Sequence, residues 1–549
     1  MDIQRASLPD ASPNGGFVAV GLRDGKPECG GLTTASFGTR APGRIAGSGQ
    51  GIFARWHWDG TVLSAEVDPF GFYSLFYSVE GDQVRVSPSL FRLAALGCEL
   101  KPDRRALLVF HRLGIFINDD TPFEGIKVLP PGGKLTWRAG KVTVEAHEPR
   151  IKPLDISRSE AVDGFVDLFR QSIARTLQAW DGPIVLPLSG GRDSRHILLE
   201  LARQGRKPEA CITFQHGGDA WNGEAKAARA ICEAVGVRHD LLGYARSRPF
   251  DNIRAIALTE LCADEHAQMM PLHDYLLDHP AASYDGIAGD VLTEGADDPE
   301  RFHNMFLSGD HAGIARMMMD GHGSIISSSR DPRGASALYS PSRDAHEEAV
   351  DYVARSMAKY ADYPDPNQVF WLLTRTRREI SFVSRGILSP AGAVFAPYLD
   401  EDLVNFGLSL PFDLKLGTPH FHDEMMARAY PEYAHVPFEK DFAADPPKSS
   451  PMQHKLQSMF DLARVARFLS PANPVKDFKA LLGKGRPLIS APNAIYHVHD
   501  HLVETLTPKR AQDFMRFAAE LRDGRSRQIV SNSYIPPGGM PPVPDQTGA

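Results

Sequence analysis

Cysteine is scarce in this 549-residue chain, and its few occurrences are scattered. They form neither the dense pattern of a disulfide framework nor a C-x-x-C zinc site. We therefore expect reduced thiols and a cytoplasmic location. The five cysteines are Cys29, Cys98, Cys211, Cys232 and Cys262.

Long apolar runs and an excess of positive charge are also missing. No run approaches the roughly 20 apolar residues that span a bilayer, and the start, Met1 to Arg5, lacks the pattern of a signal peptide. The 60 lysines and arginines are outnumbered by 68 acidic residues, which gives a net charge of −8. The composition therefore argues against a membrane protein and against a general nucleic-acid binder, which would need a basic surface.

The first 150 or so residues have the pattern of a β-rich domain. Short apolar strands begin near Phe17, Gly51 and Gln83, and turns such as Asp59-Gly60 separate them. The pattern changes near residue 150.

Beyond that point, apolar strands alternate with amphipathic helices. Ser159 is predicted to cap a helix that runs through Trp180. Strands are predicted at 183–188, 210–214 and 239–242, and this alternation favours a doubly wound parallel sheet.

The pattern divides the chain into three predicted parts. Residues 1–150 form the β-rich domain, residues 151–520 the α/β domain, and residues 521–549 a flexible tail rich in proline and glycine. Within the second part, residues from about 345 to 410 are predicted to be helical.

The most informative segment follows the first strand of the α/β part, where two glycines lead into an apolar-periodic helix (LSGGRDSRHILL, residues 188–199). Glycine lets the backbone turn tightly against a ligand, and a helix N-terminus offers unpaired N–H groups, so the combination binds phosphate. Ser189 and Ser194 add hydroxyl donors, and Asp193 can hold Mg²⁺. A bare Gly-Gly pair would suit an ordinary turn equally well; the complete string is more specific.

The string S-G-G-x-D-S resembles the PP-loop of enzymes that cleave ATP between its α- and β-phosphates. Three later segments narrow the resemblance to the asparagine synthetases. Residues 285–292 resemble that family's G-x-D-E-L-F segment, residues 396–411 its P-F-L-D stretch, and residues 430–440 the stretch with its synthetase lysine. The resemblance covers about residues 155 to 445, in order.

This resemblance implies ATP and Mg²⁺ as cofactors. It implies that Asp193 and Asp290 hold Mg²⁺ on the pyrophosphate. It also implies that Lys440 offsets negative charge in the reaction, although the nearby Lys448 stays an alternative. The implied nucleotide-binding residues are Leu188, Ser189, Gly190, Gly191, Asp193, Ser194, Phe214 and Gly289.

The first 150 residues resemble the glutaminase half of the same family, through residues 68–77 and 121–132. The implied fold class is α/β: a β-rich, Ntn-hydrolase-like αββα domain, followed by a doubly wound parallel-sheet PP-loop domain with helical additions. That glutaminase uses a cysteine at the mature amino terminus as nucleophile. Here residue 2 is Asp2 and the first cysteine is Cys29, so we do not expect glutamine hydrolysis.

A synthetase half without a glutaminase should use another amine. Lasso-peptide cyclases and β-lactam synthetases resemble asparagine synthetases, lack the same cysteine, and close a ring within one substrate, which exploits proximity. Where β-lactam synthetases carry Tyr and asparagine synthetases carry Glu, this chain has Ile287. We therefore expect macrolactam closure or another amide ligation. β-Lactam closure, an amidotransferase that uses free or partner-supplied ammonia, and a non-catalytic nucleotide-binding scaffold remain alternatives.

Two further features have open roles. Glu379 is a candidate general base, and a charged helix face shared with Arg375 explains it as well. The run from His497 to His501 could bind a metal, although isolated histidine clusters are more often solvated. The expected partners are a carboxylate and an amine substrate and partner proteins of a biosynthetic cluster, with neither nucleic acid nor membrane. The sequence leaves the substrates' identity and the oligomeric state open.

Overall fold

The architecture of the chain is mixed α/β, with two antiparallel sheets and one parallel sheet. This agrees with the predicted fold class at that level, whereas the Ntn-hydrolase-like and PP-loop arrangements stay predictions. The computed structural model describes residues 16–42, 49–146, 151–214, 223–242, 248–263, 267–293, 299–320, 342–442 and 499–524, with the isolated positions 463 and 467.

The strands before residue 146 form two five-stranded antiparallel sheets, ordered β2-β1-β7-β6-β8 and β10-β9-β5-β4-β3. The predicted strands are confirmed, as is the turn at Asp59-Gly60, which joins β4 to β5. The strands are β1 Val18–Arg23, β2 Lys26–Gly31, β3 Thr34–Pro42, β4 Gly49–Trp58, β5 Val62–Val67, β6 Phe76–Glu80, β7 Gln83–Ser87, β8 Lys127–Val128, β9 Lys134–Arg138 and β10 Lys141–Glu145.

These two sheets share one hydrophobic core. Burial alternates along β5, so that Leu63 and Ala65 point inward while the residues between them are half-buried. They pack in one cluster with Val84 and Val86 of the other sheet and with Trp137. Two helices follow β7: α1 (Leu90–Ala95) and α2 (Arg104–Leu113).

The second part of the chain is built on a parallel sheet ordered β13-β12-β11-β14-β15. Three of its strands confirm the predictions: β11 (Ile184–Pro187), β12 (Ala210–Phe214) and β13 (His239–Leu242). The others are β14 (Ala282–Tyr284) and β15 (Ala393–Phe395). Because parallel strands end at one edge, the loops after β11, β12 and β14 meet there.

Helices surround this sheet, and no helix of the described part of the chain is long and apolar enough to cross a membrane. They are α3 Arg158–Ala179, α4 Asp193–Arg203, α5 Gly223–Val235, α6 Arg248–Thr259, α7 Met270–Asp278, α8 Gly289–Thr293, α9 Pro299–Leu307, α10 His311–Met319, α11 Arg343–Ala358, α12 Pro366–Trp371, α13 Glu401–Ser409, α14 Phe412–Lys415, α15 Phe421–Ala429 and α16 Pro508–Arg522.

The helix predicted to begin at Ser159 starts two residues earlier. Ser157 is the N-cap: its side chain accepts from the Glu160 N–H, and the Glu160 carboxylate accepts from the Ser157 N–H at 2.8 Å. This is a capping box, whose S-x-x-E spacing starts at Ser157. The prediction at Ser159 was therefore wrong, because that residue already lies in the first turn.

The prediction of helix from about 345 to 410 is correct only in part. Two π-helical stretches, Leu372–Ile380 and Val383–Ile387, follow α12. Residues Ala393–Phe395, however, form the edge strand β15, which pairs in parallel with β14. Pairing with a strand far away in the sequence overrides the local pattern here.

Buried arginines join the two predicted domains, whose boundary stays a prediction. Arg377 donates to the carbonyl of Asn118 at 3.1 Å. Arg378 donates to the same carbonyl at 2.6 Å and to that of Asp120 at 2.5 Å. Because both guanidinium groups are almost fully buried, these bonds are strong anchors between the antiparallel and parallel parts.

Candidate active site

The glycine loop connects β11 to α4 at the edge of the sheet where the parallel strands end. Arg192, the N-cap residue of α4, makes no capping hydrogen bond through its side chain, and the N–H groups of a helix N-terminus are the kind that bind phosphate. Within this loop, Gly190 packs most closely against other segments of the chain. A Cβ there would lie 2.7 Å from Cβ of Glu439 and 2.8 Å from Cα of Glu224. Only glycine therefore fits between these segments.

Two hydroxyl groups hold the shape of this loop. The Ser189 N–H donates to Oγ of Ser194 at 3.0 Å, and the Gly191 N–H donates to Oγ of Ser189 at 3.2 Å. The two hydroxyl oxygens are themselves 3.2 Å apart. The loop is thus set before any ligand binds.

Asp193 and Asp290, the two predicted magnesium ligands, lie together. The Asp290 N–H donates to Oδ2 of Asp193 at 3.2 Å. Their side chains are 26% and 44% exposed, so both carboxylates reach solvent. Half-buried carboxylates are the hard oxygen ligands that Mg²⁺ prefers, and the pair fits such an ion.

The backbone beside these aspartates is tightly fitted. A Cβ on Gly289 would lie 2.4 Å from Cγ of Asp193. The preceding residue, Ala288, has a φ of 73°, in the left-handed region that residues other than glycine seldom adopt. Strain of this kind is typical of ligand-binding segments.

Arg375 lies between Asp290 and Glu379. Its Nη1 is 3.9 Å from Oδ2 of Asp290, and its Nε is 3.9 Å from Oε2 of Glu379. The contact between Arg375 and Glu379 is the i,i+4 pair of the charged-face interpretation, although the Glu379 side chain is only 1% exposed. The proposed role of Glu379 as a base stays a prediction.

The structure brings the turn that carries Lys440, but not its ammonium group, against the glycine loop. The Glu439 N–H donates to the Gly190 carbonyl at 3.3 Å. Lys440 itself is exposed, with Nζ 5.9 Å from the centre of the Phe438 ring. The alternative lysine, Lys448, lies outside the described residues.

Leu188 and Phe214, both predicted to bind the nucleotide, lie at the ends of neighbouring strands. The Leu188 N–H donates to the Ile212 carbonyl at 2.8 Å, and the Thr213 hydroxyl donates to the Leu188 carbonyl at 2.7 Å. The start of the glycine loop is thereby fixed beside the end of β12. Whether Phe214 contacts adenine is a prediction that this geometry permits.

A buried cluster behind Asp193 was missed by the sequence analysis. His422 Nδ1 lies 3.5 Å from Oδ1 of Asp193. Its Nε2 lies 3.3 Å from the Tyr398 hydroxyl and 3.3 Å from Nδ1 of His196. Burial holds the pKa of His422 well below its usual range, so the ring is neutral. No local spacing could reveal a contact across 226 residues.

His196 in this cluster should make the fold sensitive to acid. Burial lowers its pKa to about 3, whereas an unfolded chain would bind the proton below about pH 6.5. Between those values the unfolded state binds more protons. As the pH is lowered from 6.5 towards 3, the free energy of unfolding therefore decreases, by up to about 1.4 kcal/mol per pH unit.

The corresponding measurement compares melting temperatures between pH 6.5 and pH 5. His196→Gln, which can still bond to the Tyr398 hydroxyl, should give a shallower pH dependence than the wild type. The exposed His57→Gln is the matched control and should retain the wild-type slope. Equal slopes in all three proteins would contradict the prediction.

Two comparisons with known proteins concern asparagine synthetases. Residues 164–324 match the family model described as asparagine synthase. This segment includes the glycine loop and Asp290, whereas Glu379 and Lys440 lie beyond it. The glutamine-hydrolyzing asparagine synthetase 1 of Bacillus subtilis (strain 168) is 26% identical over 152 residues, which are 27% of this chain and 24% of that protein. The chain thus matches about a quarter of the length of this curated relative.

Among solved structures, glutamine phosphoribosylpyrophosphate amidotransferase from B. subtilis, complexed with ADP and GMP, is similar at 10% identity and a TM-score of 0.14. The similarity covers 37% of this chain and 50% of that one, and it is too low to carry an argument. The family model and the curated relative together support an asparagine synthetase-like family for this chain.

Proposed function

We propose that this chain is an ATP-dependent amide synthetase that forms AMP and pyrophosphate and uses an amine other than glutamine-derived ammonia. The observation that carries the proposal is the pairing of Asp193 with Asp290 beside a glycine loop that leads into the N-terminus of α4. This arrangement offers N–H donors to phosphates and carboxylates to Mg²⁺. The asparagine synthase match over residues 164–324 supports the same reaction class.

The proposed reaction has two steps. A carboxylate oxygen of the substrate attacks the α-phosphorus of ATP, the bond to the bridging oxygen of the β-phosphate breaks, and pyrophosphate leaves. An amine then attacks the acyl carbon, AMP leaves with the electrons of the broken C–O bond, and the amine gives up one proton.

The chain's own residues would hold these reactants. Asp193 and Asp290 would hold Mg²⁺, which offsets the charge on the departing pyrophosphate. The N–H groups at the start of α4 would hold the phosphates, and Lys440 would offset negative charge at the reacting centre. Glu379 would take the proton from the amine, directly or through water.

The cysteines support an amine source other than glutamine within this chain. Four of the five are buried. Burial raises the pKa of the Cys29 and Cys98 thiols, and it raises that of Cys262 to about 12. Since the thiolate is the nucleophile, these thiols are poorly suited to attack an amide.

The chain contains a cavity large enough for a substrate bigger than an amino acid, although neither aspartate nor the glycine loop lines it. It measures about 650 Å³ and lies between β3 and β4 on one side and β15 on the other. Arg385, Arg522, Asp523 and Ser384 line it, and Arg385 already donates to the Ser74 carbonyl at 2.9 Å. The Ser384 hydroxyl donates at 2.6 Å to Asp285, in the segment that leads to Asp290.

We propose macrolactam closure within one peptide, as in the lasso-peptide cyclases, and the size of this cavity is compatible with such a substrate. Ile287 is buried in the core and cannot take a proton, which argues against the β-lactam synthetase reaction. A peptide amino terminus has an ordinary pKa near 8, so a fraction of it is already neutral at physiological pH and needs less help from a base.

The test is a pyrophosphate-release assay with the full chain, ATP and Mg²⁺. The probes are peptides with a free amino terminus and one internal Asp or Glu, and the same peptides acetylated at the amino terminus. We expect pyrophosphate release with the free peptides and a product lighter by one water. Ring closure should fail for the acetylated peptides.

Two other outcomes would overturn parts of the proposal. Incorporation of ¹⁵N-labelled ammonium into the product would replace ring closure with ammonia transfer. ATP binding without pyrophosphate release from any acid and amine would favour the non-catalytic scaffold and remove the synthetase proposal itself.

A paired substitution decides between the two candidate lysines. Lys440→Met should lower kcat about 10²- to 10³-fold, the loss expected when one group that stabilises a developing charge is removed. Lys448→Met should leave kcat within a few-fold of the wild type. The reverse pattern in the same assay would assign the role to Lys448.

A further inference from the structure

We propose that His111, His499 and Asp500 form a binding site for a transition-metal ion of the Zn²⁺ type. This site does not depend on the proposed function. One candidate ligand atom from each residue lies within 4.8 Å of the others, and all three residues are buried. His111 lies on α2, whereas the other two open the helical segment 499–505.

The distances suit a compact ion. Nε2 of His111 lies 2.7 Å from Oδ1 of Asp500. In a tetrahedral zinc site with bonds of about 2.0–2.1 Å, neighbouring ligand atoms are about 3.3 Å apart. A displacement of less than about 1 Å would therefore convert the present contact into a pair of ligands.

His499 provides the independent observation. Its Nε2 lies 2.9 Å from the Leu261 carbonyl oxygen, which can only accept, so Nε2 carries the proton. Nδ1 then presents a lone pair, and among the described residues it has no hydrogen-bond partner although the side chain is only 1% exposed. A ligating histidine commonly donates its other N–H to a backbone carbonyl in this way.

A buried ion pair between His111 and Asp500 alone leaves Nδ1 of His499 unexplained. A metal ion accounts for all three groups, because two imidazoles and one carboxylate are a ligand set that Zn²⁺ accepts and Mg²⁺ does not favour.

The surroundings indicate a structural ion. The His499 ring is stacked on Phe110 with centroids 4.5 Å apart, and the Phe116 ring is 6.5 Å away. Three protein ligands leave one tetrahedral position for a water, and these apolar walls would exclude further solvent. The ion would link the β-rich part of the chain to the segment before α16.

The experiment uses the full chain after treatment with a chelator. Co²⁺ is titrated while the visible absorption of tetrahedral Co²⁺ is recorded, and Zn²⁺ is then added as competitor. We expect one ion per chain, displaced by Zn²⁺, and a higher melting temperature with Zn²⁺. X-ray absorption at the zinc edge should show imidazole ligands and no sulfur.

Variants locate the ion. His499→Gln and Asp500→Asn should weaken binding by more than the roughly 10- to 100-fold that loss of an outer-shell partner costs. His273→Gln, another buried histidine whose nitrogens face the Ile387 and Leu521 carbonyls, is the matched control and should bind normally.

Three results would overturn the site. They are a wild-type chain that binds neither ion, a zinc edge that shows sulfur ligands, and unchanged binding in both His499→Gln and Asp500→Asn. The first two need only the wild-type protein, so they decide even where a variant does not fold.

Discussion

Asp193→Asn is expected to lower substrate-dependent pyrophosphate release about 10³-fold or more, which corresponds to about 4 kcal/mol of lost transition-state stabilisation. An amide has the shape of the carboxylate but lacks the charge that holds Mg²⁺. Its oxygen can still accept the Asp290 N–H, which donates to Oδ2 of Asp193 at 3.2 Å. The fold should therefore survive while the chemistry is lost.

Asp240→Asn is the matched control for this substitution. Asp240 belongs to β13 of the same sheet and is 31% exposed, close to the 26% of Asp193. Its carboxylate accepts from the Tyr275 hydroxyl at 2.9 Å, away from the glycine loop. The Asp240→Asn variant should release pyrophosphate at the wild-type rate. Unaltered release by Asp193→Asn would contradict the proposed function.

A double variant tests whether Asp193 and Asp290 act together on one ion. If Asp193 and Asp290 hold one Mg²⁺ ion, removal of either charge already removes most of the rate enhancement that the ion provides. Residues that act as a unit are strongly non-additive. Asp193→Asn combined with Asp290→Asn should therefore be little worse than either alone. Fully multiplicative losses would show that the two aspartates act separately.

The strands that carry the glycine loop could be predicted from sequence because each is a short apolar run with its own turn signal. The edge strand β15 could not. Residues Ala393–Phe395 are an equally short apolar run, but helical patterns flank it and its partner β14 precedes it by more than a hundred residues. Periodicity reports local structure and is blind to such pairings.

The candidate site likewise contains residues that the sequence could identify and residues that it could not. Asp193 and Asp290 were singled out because each lies in a recognisable segment, and the structure joins them across 97 residues. His422 lies in no such segment, so its place behind Asp193 could not be predicted. Two of the three proposed metal ligands, His499 and Asp500, lie in the histidine run that the sequence showed, whereas His111 lies in an ordinary amphipathic helix.

Gly289→Ala is expected to lower kcat about 10²-fold by moving a carboxylate that the substitution does not itself remove. The new Cβ would lie 2.4 Å from Cγ and 3.0 Å from Cβ of Asp193. Because that side chain is short, Asp193 must shift as a whole. A displacement near 1 Å at a positioned group can cost about 10²-fold in rate.

Gly309→Ala separates this effect from a general loss of stability. Gly309 has a φ of 76°, so alanine is strained there, yet among the described residues no neighbouring heavy atom lies within 4 Å of the new Cβ. We expect it to destabilise the protein by about 1 kcal/mol and to leave kcat unchanged. Gly289→Ala should lose activity without a larger drop in melting temperature than Gly309→Ala. Wild-type kcat in Gly289→Ala would show that the exact position of Asp193 does not limit the reaction.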